Sequence, residues 1–227
     1  VKLKKLLEPF FNFWLMRKIY IFSGLGVDKR VFDNIDFSGL NIAFVDWIDP
    51  LKNETFESYA KRISKDFESN SILIGLSFGG MLAVEVSKII PVKKVILIAS
   101  AKNKNELPKW FLLVGKLKLN RIVPSSLLKT TNFITNWLFG ATTSTEKLLL
   151  KNIIKETDPT FLKWAINQIV NWKNLSVPQN CIHIHGTNDR ILPAKYLKID
   201  YKIKNGGHFM TVNKAKEIEV IIKKLCC

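Results

Sequence analysis

Residues 71–90 read SILIGLSFGGMLAVEVSKII. Ile72–Leu76 is a short, proline-free apolar run, the pattern of a strand buried on both faces. From Gly79 onward the apolar residues recur at helical spacing. A buried strand therefore gives way to a helix within a few residues, and a lone serine, Ser77, stands at the corner between Gly75 and Gly79. Two readings compete for it. One is a turn that needs small residues; the other is a nucleophile held on a strained corner. Glycines two before and two after the serine suit the second reading, because a tight strand-to-helix turn brings neighbouring backbone too close for a side chain at either flank. The N–H of Phe78 then lies at a helix start, where it has no partner within the helix and can face a developing oxyanion.

Working outward, short apolar runs alternate with amphipathic ones, as in a parallel sheet covered by helices. The strands are expected at Lys18–Phe22, Asn41–Trp47, Ile72–Leu76, Lys94–Ala99, Cys181–His185 and Tyr201–Lys204. TFESYAKRISKDFES (55–69) carries Phe56, Tyr59, Ala60, Ile63 and Phe67 at helical intervals, and GGMLAVEVSKII and NKAKEIEVIIKKL read as helices for the same reason. The rhythm breaks between Lys102 and Asn174. No strand is predicted there, but DPTFLKWAINQIVNWKN opens on an Asp-Pro helix start. This segment is expected to be a helical insertion at residues 102–174, serving as extra core, as a lid, or as both, between core segments 16–101 and 175–227.

The 227-residue chain suits one domain with such an insertion, and its 47% hydrophobic and 24% charged content argues against disorder. No apolar stretch approaches the ~20 residues of a spanning helix. VKLKKLLEPFFNFWLM at the start is interrupted by Glu8, Pro9 and Asn12 and lacks a small-residue cleavage pattern, so residues 1–15 read less as a leader than as an amphipathic extension or as residues upstream of a start at Met16. Three cysteines, Cys181, Cys226 and Cys227, make no disulfide framework, and a reducing cytoplasm is the expected compartment. The net charge is +16, and residues 101–175 hold 12 Lys and Arg against 4 Asp and Glu. That balance can draw in nucleic acid, anionic lipid or an acidic protein, and lysine-heavy surfaces also arise from composition bias alone. The lysines are scattered, and no nucleic-acid-binding module is recognisable.

A serine hydroxyl needs a base. Of the three histidines, His183 and His185 share one face of the strand CIHIHG and read as packing residues. His208, in the glycine-rich loop NGGHFMTV after the last strand, stands where ligands gather in parallel sheets. The base in turn needs an acid, and Asp189 in HGTNDRILP follows the preceding strand, with Asp46 in reserve. A second oxyanion donor is expected from Leu25, whose loop is freed to curl by Gly24 and Gly26. That loop lacks the full G-x-G-x-x-G of a dinucleotide site.

With Gly75–Gly80 (GLSFGG), Ser23–Gly26 (SGLG), Asp189 in GTNDRILP and His208 in GGHF, the chain resembles the α/β-hydrolase superfamily from Arg17 to the C-terminus. The resemblance implies an α/β fold with a mostly parallel six-stranded sheet, residues 102–174 as its variable helical cap, and no cofactor or metal. It implies Ser77 as nucleophile, His208 as base, Asp189 as acid, and Leu25 and Phe78 as oxyanion donors. Two features depart from the family: Ser23 stands where a His is frequent, and the leading antiparallel hairpin is missing. Size and cap are similar to those of small carboxylesterases, including ones acting on a pimeloyl methyl ester attached to an acyl carrier protein. The implied partner is thus a small ester, conceivably presented by an acidic carrier, with no nucleic acid and no integral membrane span. An acyltransferase on the same residues, or a non-catalytic binding protein for an anionic partner, stays open as an alternative.

Overall fold

The computed structural model describes residues 17–118 and 129–226. The expectations for residues 1–15 and Cys227, and the part of the insertion at 119–128, lie outside the described residues. Six strands, β1 (Ile19–Phe22), β2 (Ile42–Val45), β3 (Ile72–Leu76), β4 (Lys94–Ile98), β5 (Cys181–Gly186) and β6 (Tyr201–Ile203), form one sheet in the order β2-β1-β3-β4-β5-β6. Every pair is parallel. The strand order reverses direction at β1 and β3, and the crevice outside the carboxyl ends at such a reversal is the usual ligand position of open parallel sheets.

Alternation along each strand divides the core into two layers. Ile19, Ile21, Ile72, Ile74, Ile96 and Ile98 face one side, where Ile218 and Ile222 of α8 (Ala215–Cys226) cover them. Tyr20, Phe22, Leu73, Val95 and Leu97 face the other, against α1 (Phe56–Ile63) and α2 (Phe78–Ser87). Helix α2 is buried from Phe78 to Val86, which is why its sequence is apolar almost all round.

Between β4 and β5 the chain forms α3 (Lys109–Lys116), α4 (Phe133–Phe139), α5 (Ser144–Glu156) and α6 (Pro159–Val170) and no described strand. Local chemistry sets their starts. Thr143 and Glu146 form a reciprocal capping box on α5, and the Asp158 carboxylate accepts from Phe161 N–H (2.7 Å) ahead of Pro159. Among the described residues no helix is long and apolar enough to cross a membrane.

Two predicted helices are shorter or more broken than their periodicity implies. Helix α1 stops at Ile63, where the Ser64 hydroxyl donates back to Ala60 O (2.7 Å). Phe67 lies beyond it and stacks on Tyr20 with ring centres 3.9 Å apart, so its apolar position reflects the core and not the helix. At the C-terminus a short α7 (Met210–Asn213) precedes α8, with Lys214 between them. The predicted strands Lys18–Phe22, Asn41–Trp47, Lys94–Ala99 and Tyr201–Lys204 each lose one to three end residues, where pairing with the neighbouring strand stops, and Cys181–His185 gains Gly186.

Candidate active site

The corner after β3 is built as tightly as the sequence requires. Ser77 has φ 52° and ψ −119°, a region that residues with a Cβ seldom enter. It is pinned from the end of β4: its N–H donates to Ile98 O (2.9 Å), and its carbonyl accepts from the buried Ser100 hydroxyl (2.6 Å). A Cβ on Gly75 would lie 2.4 Å from Gly79 O, and one on Gly79 would lie 2.1 Å from Ser23 O. Both glycines are therefore steric necessities. Gly80, the last glycine of the GLSFGG run, belongs with them, since its Cβ would meet Ser100 Oγ at 2.4 Å.

Asp189, in the turn after β5, accepts Ile191 and Leu192 N–H on Oδ1 (2.9 Å each) and offers Oδ2 to His208. Asp189 and His208 are 4% and 5% exposed. Burial works to raise the Asp189 carboxyl, but its interactions with His208, together with His185 and the Leu192 N–H, outweigh it and hold it below the ordinary carboxylate value. An ionised carboxylate only accepts, so His208 Nδ1 carries the proton and donates to Oδ2 (2.7 Å). In the neutral imidazole the opposite nitrogen, Nε2, is the acceptor, and it lies 2.8 Å from Ser77 Oγ. The structure thus joins Ser77, His208 and Asp189 in one hydrogen-bonded line. Asp46 is exposed just past β2, on the opposite edge of the sheet from β5 and β6.

Register places the remaining pieces. Phe22 of β1 pairs with Gly75 of β3, so the Ser23–Gly26 loop emerges beside the serine corner. Gly24 lies against it, where an added Cβ would be 3.3 Å from Ser77 Cβ, and Gly26 takes φ +69°. Among the described residues neither the Leu25 nor the Phe78 N–H donates to a protein acceptor. Both residues, with Ser77 and His208, border a cavity of about 380 Å³ whose other walls are apolar. That lies inside the range of roughly 300–1,000 Å³ common for small-molecule sites.

Of the aromatic residues of segment 102–174, Trp110, Phe111 and Phe139 line the cavity. Trp164 instead packs on Tyr59 (4.4 Å between ring centres) and donates to Glu54 O (2.9 Å), and Trp172 donates to Glu85 (2.7 Å). Trp137 is half exposed beneath the Arg190 guanidinium, 4.6 Å from its ring.

The two strand histidines do more than fill space. His185 Nε2 faces Leu192 O, a pure acceptor, at 2.8 Å, and so carries a proton; it also lies 3.4 Å from Asp189 Oδ2. Its Nδ1 then accepts from His183 Nε2–H (3.2 Å). Leu192 ties the pair to the acid, because its N–H donates to Asp189 while its carbonyl accepts from His185. Burial keeps both rings below the ordinary histidine value, His183 well below it. Spacing alone gives the shared face of these residues but not their partner.

No protein-family model and no curated protein sequence matches the chain. Solved structures do. The chain is similar to a thermophilic esterase from Thermogutta terrifontis (TM-score 0.69, 14% identity, 92% of this chain and 89% of that one). It is also similar to MenH from S. aureus (0.68, 16%, 92% of each chain) and to a bromoperoxidase from Bacillus anthracis (0.67, 15%, 91% and 90%). The chain has the α/β-hydrolase fold. Three differently named activities at nearly equal likeness mean that the resemblance carries the architecture and not the reaction.

Proposed function

We propose that the protein is a serine hydrolase that cleaves a carboxylic ester with an apolar acyl group through an acyl-enzyme. The observation that carries this reading is the unbroken line from Asp189 Oδ2 through His208 to Ser77 Oγ, ending at the mouth of an apolar cavity.

Ser77 Oγ attacks the ester carbonyl carbon while its proton passes to His208 Nε2. Asp189, ionised and fixed by two backbone donors, stabilises the imidazolium and keeps Nδ1 protonated. The carbonyl π electrons become an oxyanion, held by the Leu25 and Phe78 N–H groups at about 3 kcal/mol each. Collapse breaks the bond to the alcohol, which leaves with the proton from Nε2. Water repeats the sequence on the acyl-enzyme: it gives a proton to His208, adds to the carbonyl and releases the acid. The apolar walls exclude water from the acyl chain and favour substrates whose acyl part is hydrocarbon.

A fluorophosphonate probe tests the nucleophile directly. Covalent labelling that disappears in Ser77→Ala is the expected result, and equal labelling of that variant excludes the mechanism. A series of p-nitrophenyl esters tests the pocket: medium acyl chains should be preferred, and a preference for acetate would mean that the aromatic walls do not receive the acyl group.

A further inference from the structure

We propose that the outer face of α3 and α4 docks on an anionic lipid surface, and that the ester reaching Ser77 is drawn from that surface. The second half rests on the hydrolase reading above; the first does not.

Helix α3 meets three surroundings at once. Gly115 is pressed on α6, where a Cβ would lie 2.4 Å from Val170 O. Phe111 and Val114 face the cavity. On the third side Leu113, Leu117 and Trp110 are 54%, 55% and 58% exposed. At 3.6 residues per turn these three occupy an arc of roughly 60°, bordered by Val114 on the cavity side and by Lys109 and Lys116 on the other. Trp110 belongs to both the outer face and the cavity wall, so the face reaches the cavity mouth.

Helix α4 repeats the arrangement. Phe133, Ile134 and Trp137 share a side and are 82%, 62% and 50% exposed, while Phe139 lines the cavity. Single exposed apolar residues are ordinary; three large ones on one side of each of two helices that both border the cavity are not. The charge around them has one sign. Between Glu106 and Glu146 the described residues include Lys109, Lys116, Lys118 and Lys129 and no acidic residue.

This chemistry selects the occupant. Apolar side chains that include two tryptophans, edged by lysine, are the make-up of a helix lying in a lipid interface. A second copy would bring two chains of charge +16 together and be repelled. An acidic protein would satisfy the lysines but not so large an apolar face, since protein interfaces between separable partners are hardly more apolar than ordinary surface.

The full chain and its Ser77→Ala variant would be sedimented with vesicles of phosphatidylcholine mixed with phosphatidylglycerol, and with phosphatidylcholine alone. Both proteins should pellet with the mixed vesicles and much less with the neutral ones. L113D/I134D, which alters neither the cavity nor the hydrogen-bonded line, should lose about tenfold or more in partitioning. It should keep its turnover of a short soluble ester and lose turnover of an ester embedded in the mixed vesicles. Equal partitioning of wild type and L113D/I134D overturns the docking face. So does a dimer that this variant dissociates, or capture of a purified acidic carrier protein in the absence of vesicle binding. Soluble-ester turnover without vesicle binding ends this proposal and leaves the hydrolase; vesicle binding without any ester turnover leaves the docking face and ends both the hydrolase reading and delivery of the ester from the surface.

Discussion

The carboxyl rim of the sheet and the helices inserted between β4 and β5 lie side by side around one cavity, and they are built differently. At the rim each polar group is held several ways. Ser77 is fixed through its own N–H and C=O, and Asp189 through two backbone donors, His208 and the nearby His185. In the insertion, α6 is anchored by Trp164 and α5 is capped by its own residues, while α3 and α4 leave large apolar side chains in water. An over-determined rim suits chemistry, where a small misplacement is costly, and a loosely committed wall suits choice of substrate. Changes at the rim should therefore act nearly all-or-none, and changes in the helices by degrees.

The sharpest way to break that contrast is at the rim. Ser77→Ala should lower ester turnover by about 10⁴-fold or more, and Asp189→Asn by about 10⁴-fold, with Asp46→Asn near wild type. Equal losses in the two aspartate variants would mean that the acid has been misassigned. Ser77→Gly should be as inactive as Ser77→Ala yet melt higher, by about 1 kcal/mol, because glycine relieves the strained backbone at φ 52°. An unchanged melt would show that no strain is stored there.

Gly79→Ala should cost about 2–3 kcal/mol, since the new methyl must displace the Ser23 and Phe22 carbonyls; denaturant unfolding measures it. A smaller effect comes from His183 and His185. Their folded rings resist protonation while the unfolded chain takes up protons near the reference value of 6.5. Unfolding thus binds protons below that pH, so stability is full at neutral pH and declines as pH falls below 6.5. Asp189, lowered in the fold, adds a loss in the same direction at more acid pH. His185→Gln should flatten the upper part of that slope in melts between pH 7 and 5, and an unaltered slope would point to other groups. The least effect is expected in the cavity wall. Phe111→Ala should change kcat/KM for medium-chain esters by about 3–10-fold and leave acetate nearly untouched. A 10⁴-fold loss there would erase the distinction between the two regions.

The six strands were legible because buried parallel strands are apolar without interruption, and their bounds erred only at the ends, where strand pairing and not composition sets the limit. The convergence of Ser77, His208 and Asp189 was legible too. Each stands in a loop at the carboxyl end of its own strand, and a parallel sheet brings all such loops to one rim. What escaped were partners set by the third dimension. Ser100 holding the Ser77 carbonyl, and His185 bridged through Leu192 to Asp189, leave no periodic trace. Exposure escaped as well. Trp110 and Trp164 read alike in sequence, yet one is open to solvent and the other packs on Tyr59.

The sheet order has a consequence for biosynthesis. Ser77 and His208 stand 131 positions apart, and the loop bearing the imidazole follows the last, edge strand. On the proposed mechanism, a ribosome must therefore synthesise nearly the whole polypeptide before the Ser77 hydroxyl meets its base. A chain ended anywhere upstream of residue 208 would then carry an unactivated alcohol.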